Sequence, residues 1–220
     1  GHGHMWASTI GIGLMKIDEL TLKAEVIDLK LEESVKVTDG IGIFFDSKDQ
    51  RIYAAANTSR LIGIDIKTNE IFNFKQPIDS IIALGTYADP IDFKVSNVFR
   101  DEEGTFWMST RGNDLIAWNA SIKYSQVWRF GIVKESGDRI FPIAEDRHKN
   151  IWFGFPLKGL FVLEKSSGRT TNYINNPNDA TSLAHNTVNH IFKDRNDIMW
   201  LSTYKGVSKF DGAEQPFQYT

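Results

Sequence analysis

The feature that most limits what this chain can fold into is that it repeats. Five segments align on an aromatic anchor at positions 6, 53, 107, 152 and 200, separated by 47, 54, 45 and 48 residues. Phe106-Trp107-Met108-Ser109-Thr110, Ile151-Trp152-Phe153-Gly154 and Met199-Trp200-Leu201-Ser202-Thr203 carry the pattern most clearly; Trp6-Ala7-Ser8-Thr9 and Tyr53-Ala54-Ala55-Ala56 are weaker copies. An acid stands six residues before three anchors (Asp101, Asp146, Asp194), with turn-forming residues between. In the second unit Ser47 occupies that position. Asp18, Asp65, Asn119 or Glu164 follows four anchors by twelve residues, and Asp211 follows the fifth by eleven. A period of this size belongs to architectures whose repeats bury their apolar faces only by stacking on neighbours.

Within a unit the side chains alternate at period two. Val95, Asn97 and Phe99 alternate with Ser96, Val98 and Arg100, and Val188, His190 and Phe192 with Asn189, Ile191 and Lys193. The anchor segment that follows is apolar at nearly every position, as in a strand covered on both faces. A third strand is expected at Gly159–Leu163 or Gly206–Phe210, and a shorter fourth at Thr170–Tyr173 or 217–219. Four strands in about 45–50 residues make a β-propeller blade. The expected fold is therefore an all-β propeller of about five four-stranded blades, over 6–31, 38–76, 94–131, 138–175 and 186–220, the first lacking its innermost strand. Residues 1–5, Gly1-His2-Gly3-His4-Met5, read as a tag remnant. Residues 20–35 are rich in helix formers. Yet Leu20, Leu22, Ala24 and Val26 alternate, then Ile27, Leu29 and Leu31 after a slip, which predicts a fourth strand with a bulge. In a blade the anchor ring fills the gap between sheets and the acid accepts backbone N–H groups in the turn, so both are structural.

The segment Asn175-Asn176-Pro177-Asn178-Asp179-Ala180-Thr181-Ser182-Leu183-Ala184-His185-Asn186-Thr187-Val188, running into Ile191-Phe192-Lys193-Asp194 and Met199-Trp200-Leu201-Ser202-Thr203, resembles the two-component-regulator propeller repeat. The repeat grid extends that likeness along about four-fifths of the chain. The resemblance implies the sensor region of a hybrid two-component system: a periplasmic domain of an inner-membrane protein that recognises a ligand, commonly an oligosaccharide. Its signal would pass to a histidine kinase and gene regulation in other parts of the parent chain. It implies no enzymatic role and no cofactor for this region. Propellers of that family usually have seven blades, so a fragment of a larger ring is expected in preference to closure at five. Open blade faces would then pair with the missing blades or with a second copy of the chain as a homodimer.

Composition narrows the alternatives. A net charge of −3, from 25 Lys+Arg against 28 Asp+Glu, offers no basic patch for nucleic acid. With no cysteine, disulfides, thiolate metal sites and cysteine nucleophiles are excluded. No apolar run is long enough for a helical membrane span, so membrane contact is expected only through other parts of the parent chain. Nucleophile-elbow, zinc-protease and phosphate-loop motifs are absent. His185 and His190 stand five apart on an extended segment and point to opposite faces, which does not make a metal pair. Asp194-Arg195-Asn196-Asp197 lacks the glycine and distal glutamate of a calcium loop. Asn57-Thr58-Ser59 and Asn119-Ala120-Ser121 match the glycosylation sequon.

The variable connections carry the candidate site. In a propeller the loops from strand two to three and from strand four to the next strand one share an end, where ligands usually bind. That end is predicted to carry Arg60, Arg111, Asn113, Lys158, Tyr204 and Lys205 from the hairpins, and Tyr87, Arg139 and His185 from the interblade connections. Planar and cationic donors with rings for stacking suit a sugar or a uronic-acid-bearing oligosaccharide. A polysaccharide lyase or glycosidase is the alternative, with Asp89, Asp92 and Asp138 as the acids placed for it. A scaffold that binds proteins and no small ligand is the third reading.

Overall fold

Alternating segments separated by turn residues fold as antiparallel meanders. The computed structural model of the protein describes residues 3–9, 12–29, 42–55, 61–74, 95–110, 114–130, 141–211 and 217–219. Among these residues the segments form nineteen strands in five antiparallel sheets. The first sheet holds β1 (His4–Thr9), β2 (Gly13–Asp18) and β3 (Ala24–Val26). The second holds β4 (Gly42–Asp46), β5 (Arg51–Ala55), β6 (Leu61–Asp65) and β7 (Ile71–Phe74). The third is β8 (Val95–Arg100), β9 (Phe106–Thr110), β10 (Asp114–Asn119) and β11 (Tyr124–Arg129). The fourth is β12 (Phe141–Glu145), β13 (Ile151–Phe155), β14 (Gly159–Leu163) and β15 (Thr170–Tyr173). The fifth is β16 (Val188–Lys193), β17 (Met199–Thr203), β18 (Gly206–Phe210) and β19 (Gln218–Tyr219). In every sheet the strands pair in chain order, which is the meander of a propeller blade, and the first sheet is one strand short of the others. The chain divides into two compact units, Gly1–Gly112 with Ile116–Trp128, and Asn113–Leu115 with Arg129–Thr220.

The recurring acid is a staple. In the third, fourth and fifth sheets a three-residue loop joins the first strand to the second, and its last residue has a left-handed backbone: Gly104 (φ 86°), Lys149 (φ 67°) and Asp197 (φ 61°). Asp146 Oδ1 accepts the backbone N–H groups of His148 at 2.8 Å and Asn150 at 2.9 Å, while Oδ2 accepts the Trp152 indole N–H at 2.8 Å. Asp101 binds Glu103, Thr105 and the Trp107 indole in the same way, and Asp194 binds Asn196, Ile198 and Trp200. One carboxylate thus closes the turn with one oxygen and orients the anchor ring with the other. Asp194-Arg195-Asn196-Asp197 is a turn of this kind.

The second sheet departs from the pattern, and the reason is one residue of loop. Asp46 pairs directly with Arg51, leaving residues 47–50 as a four-residue turn with Gln50 at φ 55°. The acid is therefore Asp46, seven residues before the anchor, and not the residue at the Ser47 position. Its Oδ1 still accepts Lys48 N at 2.8 Å. The anchor is a tyrosine, whose hydroxyl donates to Asp49 Oδ2 at 2.9 Å. Burial and that bond push the Tyr53 hydroxyl pKa up to about 12. Arg100 of β8 reaches across to Asp46 Oδ2 at 2.8 Å and to Asp49, its guanidinium lying 5.1 Å from the Phe106 ring centre. This clips the second sheet to the third.

The second strands are largely apolar, and in β5 and β13 the two faces enter different cores. Ile52 and Ala54 of β5 pack with Leu14, Leu29, Ile62 and Ile64, whereas Tyr53 and Ala55 pack with Val95, Val98, Phe106, Met108 and Trp118. In the second unit, Trp152 and Leu160 of the fourth sheet meet Val188, Ile191, Met199 and Leu201 of the fifth. On the opposite face Phe153 stacks on Phe161 at 5.7 Å with Phe130 against it at 5.1 Å. Trp152 is only 2% exposed. Trp200, on the alternate face from Met199 and Leu201, is partly exposed, and Phe192 beside it is 57% exposed.

The long fourth strand expected over residues 20–35 is shorter. Only Ala24–Val26 is strand; residues 30–35 lie outside the described residues. Asp18 Oδ1 accepts the N–H groups of Leu20 at 3.1 Å and Thr21 at 2.7 Å and bends residues 19–22 into a turn that leaves Leu20 and Leu22 in solvent. Asp65 does the same for Lys67 and Thr68. At the other end of this sheet β1 begins at His4, so Met5 pairs with Ile17.

Two outcomes follow from the staples. Asp146→Ala leaves a buried indole N–H and turn amides without their acceptor and is expected to cost about 3 kcal/mol in urea unfolding; Trp152→Ala should cost at least as much, about 3–5 kcal/mol. The Asp194 carboxyl is held below its ordinary 3.8 by the Trp200 indole, Asp18 by the Thr21 amide and Asp65 by the Thr68 amide. Depressed carboxyls favour the native state when ionised, so their contribution is complete above the ordinary value and is lost as pH falls through the native ones. The urea midpoint should accordingly hold between about pH 7 and pH 5 and drop below about pH 4.

Candidate functional site

A meander sends its turns alternately to two ends. Within each sheet the turns between first and second strands and between third and fourth strands lie at one end, held by an Asp staple or by Asp18, Asp65 or Asn119. Asn119 is buried, and its side-chain amide donates to Glu103 O at 3.3 Å and Thr105 Oγ1 at 3.2 Å, so this sequon asparagine is a structural residue. The opposite end holds the turns between second and third strands and the interblade connections. In the second unit it is described in full for three segments: the β13–β14 turn, residues 174–187 and the β17–β18 turn.

The β13–β14 turn is tight. Lys158 N donates to Phe155 O at 3.2 Å, Pro156 follows Phe155, and Leu157 has φ 61°. Proline at the second position with positive φ at the third is the pattern of a type II turn, whose third position ordinarily takes glycine or asparagine. A leucine in left-handed backbone costs about 1–2 kcal/mol. Gly159 comes next at φ 90°, its N–H donating to Asn186 O at 2.8 Å, and a Cβ there would stand 2.2 Å from Tyr173 O. Leu157 N donates to Thr187 Oγ1 at 3.2 Å. The hairpin tip is thereby tied to residues 186–187.

Residues 174–187 fold on themselves through their own polar side chains. Asn175 Nδ2 donates to Leu183 O at 2.6 Å, and Asn175 N donates to Asn186 Oδ1 at 2.6 Å. Ser182 Oγ accepts Asn176 N at 2.8 Å. Leu183 plugs the core between the fourth and fifth sheets, and Ala184 N donates to Ser208 Oγ of β18 at 3.0 Å. This segment therefore stitches the two sheets together while presenting His185. Thr187 N donates to His185 Nδ1 at 3.0 Å, which leaves the proton of the neutral ring on Nε2. The imidazole lies 5.7 Å from the Tyr204 ring, tilted by 43°.

Of the nine residues expected at this end, Lys158, His185, Tyr204 and Lys205 are described, and Arg60, Tyr87, Arg111, Asn113 and Arg139 lie outside the described residues. So do Asp89, Asp92 and Asp138. The structure brings His185 against Tyr204 and places Lys158 on the turn bonded to Asn186 and Thr187. Lys205 follows Tyr204 at the β17–β18 tip, its N–H donating to Thr203 Oγ1 at 3.2 Å. Both lysines are exposed, and neither ammonium has an ion-pair partner among the described residues. His190 is exposed on β16 beside a register shift, and His148 sits in the staple turn, its Nε2 accepting Arg147 Nε–H at 3.1 Å, so neither joins His185. Sequence reasoning puts Leu157 beside Lys158 on this hairpin but assigns it no role. Its signal is the Pro156-Leu157 pair in a turn with no glycine at the position that wants one. The arrangement offers two cations, an imidazole donor, a phenol ring and an exposed aliphatic side chain, which together suit recognition.

Comparison with known proteins finds one short family match and a likeness of fold. Residues 182–205 match the family model described as the two component regulator propeller. No curated protein matches the chain. Among solved structures, the extracellular domain of a proposed one component system from B. thetaiotaomicron has a TM-score of 0.67 at 16% identity over 94% of this chain and 26% of its own. The extracellular domain of a proposed hybrid two component system from the same organism has a TM-score of 0.62 at 16% identity, over 96% of this chain and 26% of its own. PorZ, an essential bacterial surface component of the type-IX secretion system of Porphyromonas gingivalis, has a TM-score of 0.61 at 14% identity, over 99% of this chain and 32% of its own. The likeness is one of fold, a β-propeller, and the chain spans between 26% and 32% of the length of these structures.

The site geometry makes its own prediction. Gly159→Ala places a methyl group against Tyr173 O in backbone that disfavours it, and should lower stability by about 2–4 kcal/mol in thermal or urea unfolding.

Proposed function

From the match of residues 182–205 to the two component regulator propeller model, we propose an extracytoplasmic ligand-sensing domain that recognises an oligosaccharide at the end opposite the staples. The domain belongs to a periplasmic sensor whose parent chain passes the signal to a histidine kinase and gene regulation. The observation that carries this reading is the division of labour between the two ends. One end spends its polar side chains on closing its own turns, and the other presents Lys158, His185, Tyr204 and Lys205 outward. Exposed rings next to donors are what sugar recognition uses: an aromatic face for the C–H side of a pyranose, and cations and imidazole for its oxygens. The fold it shares with extracellular domains of a proposed one component system and a proposed hybrid two component system from B. thetaiotaomicron is consistent with an extracytoplasmic domain.

Calorimetric titration of the chain with tetrasaccharides from a panel of plant and host glycans is expected to give one class of binder. Tyr204→Ala should weaken that binding by about tenfold, or about 1.4 kcal/mol, with the thermal midpoint unchanged because the ring is 72% exposed. Silence across the panel, or binding untouched by Tyr204→Ala, would remove the reading.

A further inference from the structure

Leu157 stands where a type II turn ordinarily takes glycine or asparagine. It occupies the glycine position of the Phe155–Lys158 turn at φ 61°, and its side chain is 61% exposed. Leu22 shares this backbone in a turn closed locally by Asp18, whereas the Leu157 turn is held by a second segment, and strain held in that way is a starting point for a functional reading. Three further observations surround it. The turn is bonded at Leu157 N and Gly159 N to Thr187 and Asn186, which adjoin His185. His185 is itself fixed against Tyr204. The two lysines that flank these residues, Lys158 and Lys205, have no carboxylate partner among the described residues, and Asp179, the acid of the neighbouring connection, is occupied by Thr181.

Resting on the oligosaccharide reading above, we infer that Leu157, His185 and Tyr204 seat the ring of an acidic sugar whose carboxylate or sulfate is bound by Lys158 and Lys205. The aliphatic and aromatic surfaces meet the apolar face of the pyranose, and the two ammonium groups supply charge-assisted hydrogen bonds to an anion. A neutral sugar would leave both lysines in water and gain only the ring contacts. The strained leucine is then kept for recognition at the expense of turn stability.

The test uses the 220-residue chain and three probes in calorimetry: a galacturonate tetrasaccharide, a heparin-derived sulfated tetrasaccharide and a neutral galactan tetrasaccharide. One of the two acidic probes should bind, which identifies carboxylate or sulfate as the anion, and the neutral one should bind at least about tenfold more weakly. Lys158→Ala with Lys205→Ala should remove that preference and flatten its dependence on salt. Leu157→Gly should weaken the acidic probe by about tenfold while the thermal midpoint holds or rises, since glycine relieves the turn. If Leu157→Gly does not fold, Leu157→Asn, which also tolerates this backbone, carries the same comparison. Equal binding of the neutral probe, or wild-type affinity in the glycine variant, overturns this inference and leaves the oligosaccharide reading standing. Absence of binding by all three overturns this inference, and silence across the wider panel is what would take the oligosaccharide reading with it.

Discussion

A carboxylate that binds a turn with one oxygen and an indole with the other is the interaction on which the rest of this structure depends. It joins two scales. The bonds from Asp146 Oδ1 to His148 N and Asn150 N fix how the chain reverses, and the bond from Trp152 Nε1 to Oδ2 fixes where a large ring stands relative to that reversal. Because the ring is the wedge that fills the space between sheets, local turn geometry and sheet packing are set together. Three sheets use the same device at the same spacing. The second achieves the result with other parts: a longer turn, a tyrosine in place of tryptophan, and Arg100 from the next sheet neutralising Asp46 and Asp49. What is retained from the second sheet to the fifth is a ring whose polar atom is satisfied by a turn acid. The identity of the ring is secondary.

Much of this was legible before any coordinates. Alternation in the first strands and continuous apolarity in the second ones reflect a sheet covered on both faces, and β5 shows it by sending Ile52 and Tyr53 into different cores. The acid six residues before the anchor was visible as a spacing. Its bond to the indole was not, because only the folded three-residue turn brings Nε1 within reach of the carboxylate. The same limit explains Ser47: an offset counted along the chain does not register a loop one residue longer, which moves the acid to Asp46. Alternation also misled at Leu20 and Leu22. Those side chains obey period two by coincidence, and the Asp18 carboxylate, competing for their amides, wins over strand pairing.

The candidate site was legible at the level of topology and no further. Knowing that alternate turns share an end is enough to group Lys158, His185, Tyr204 and Lys205, and the structure sets His185 against Tyr204 at that end. Which of those residues are held rigidly depends on hydrogen bonds that no pattern encodes. Asn175 closing onto Leu183 and Asn186, and Thr187 receiving Leu157 N, are examples. Leu157 is the clearest case of hidden information, since a leucine after a proline in a turn looks ordinary until its backbone angle is known.

A strained turn persists only where its surroundings hold it, and here the holding groups can be named. Gly159 allows the chain to pass within contact of Tyr173 O, where any side chain would collide. Asn186 O and Thr187 Oγ1 take the two amides that a relaxed turn would direct elsewhere. Those two residues belong to the segment that also anchors Leu183 in the core and presents His185. The strain at Leu157 and the orientation of the imidazole are therefore maintained by one piece of chain, fastened to both sheets. A ligand pressing on Leu157 or His185 would load that segment, and through Leu183 and Ser208 the packing between the fourth and fifth sheets. A ligand bound at this end would thus act on how the fourth and fifth sheets pack, which is what the proposed sensing role requires.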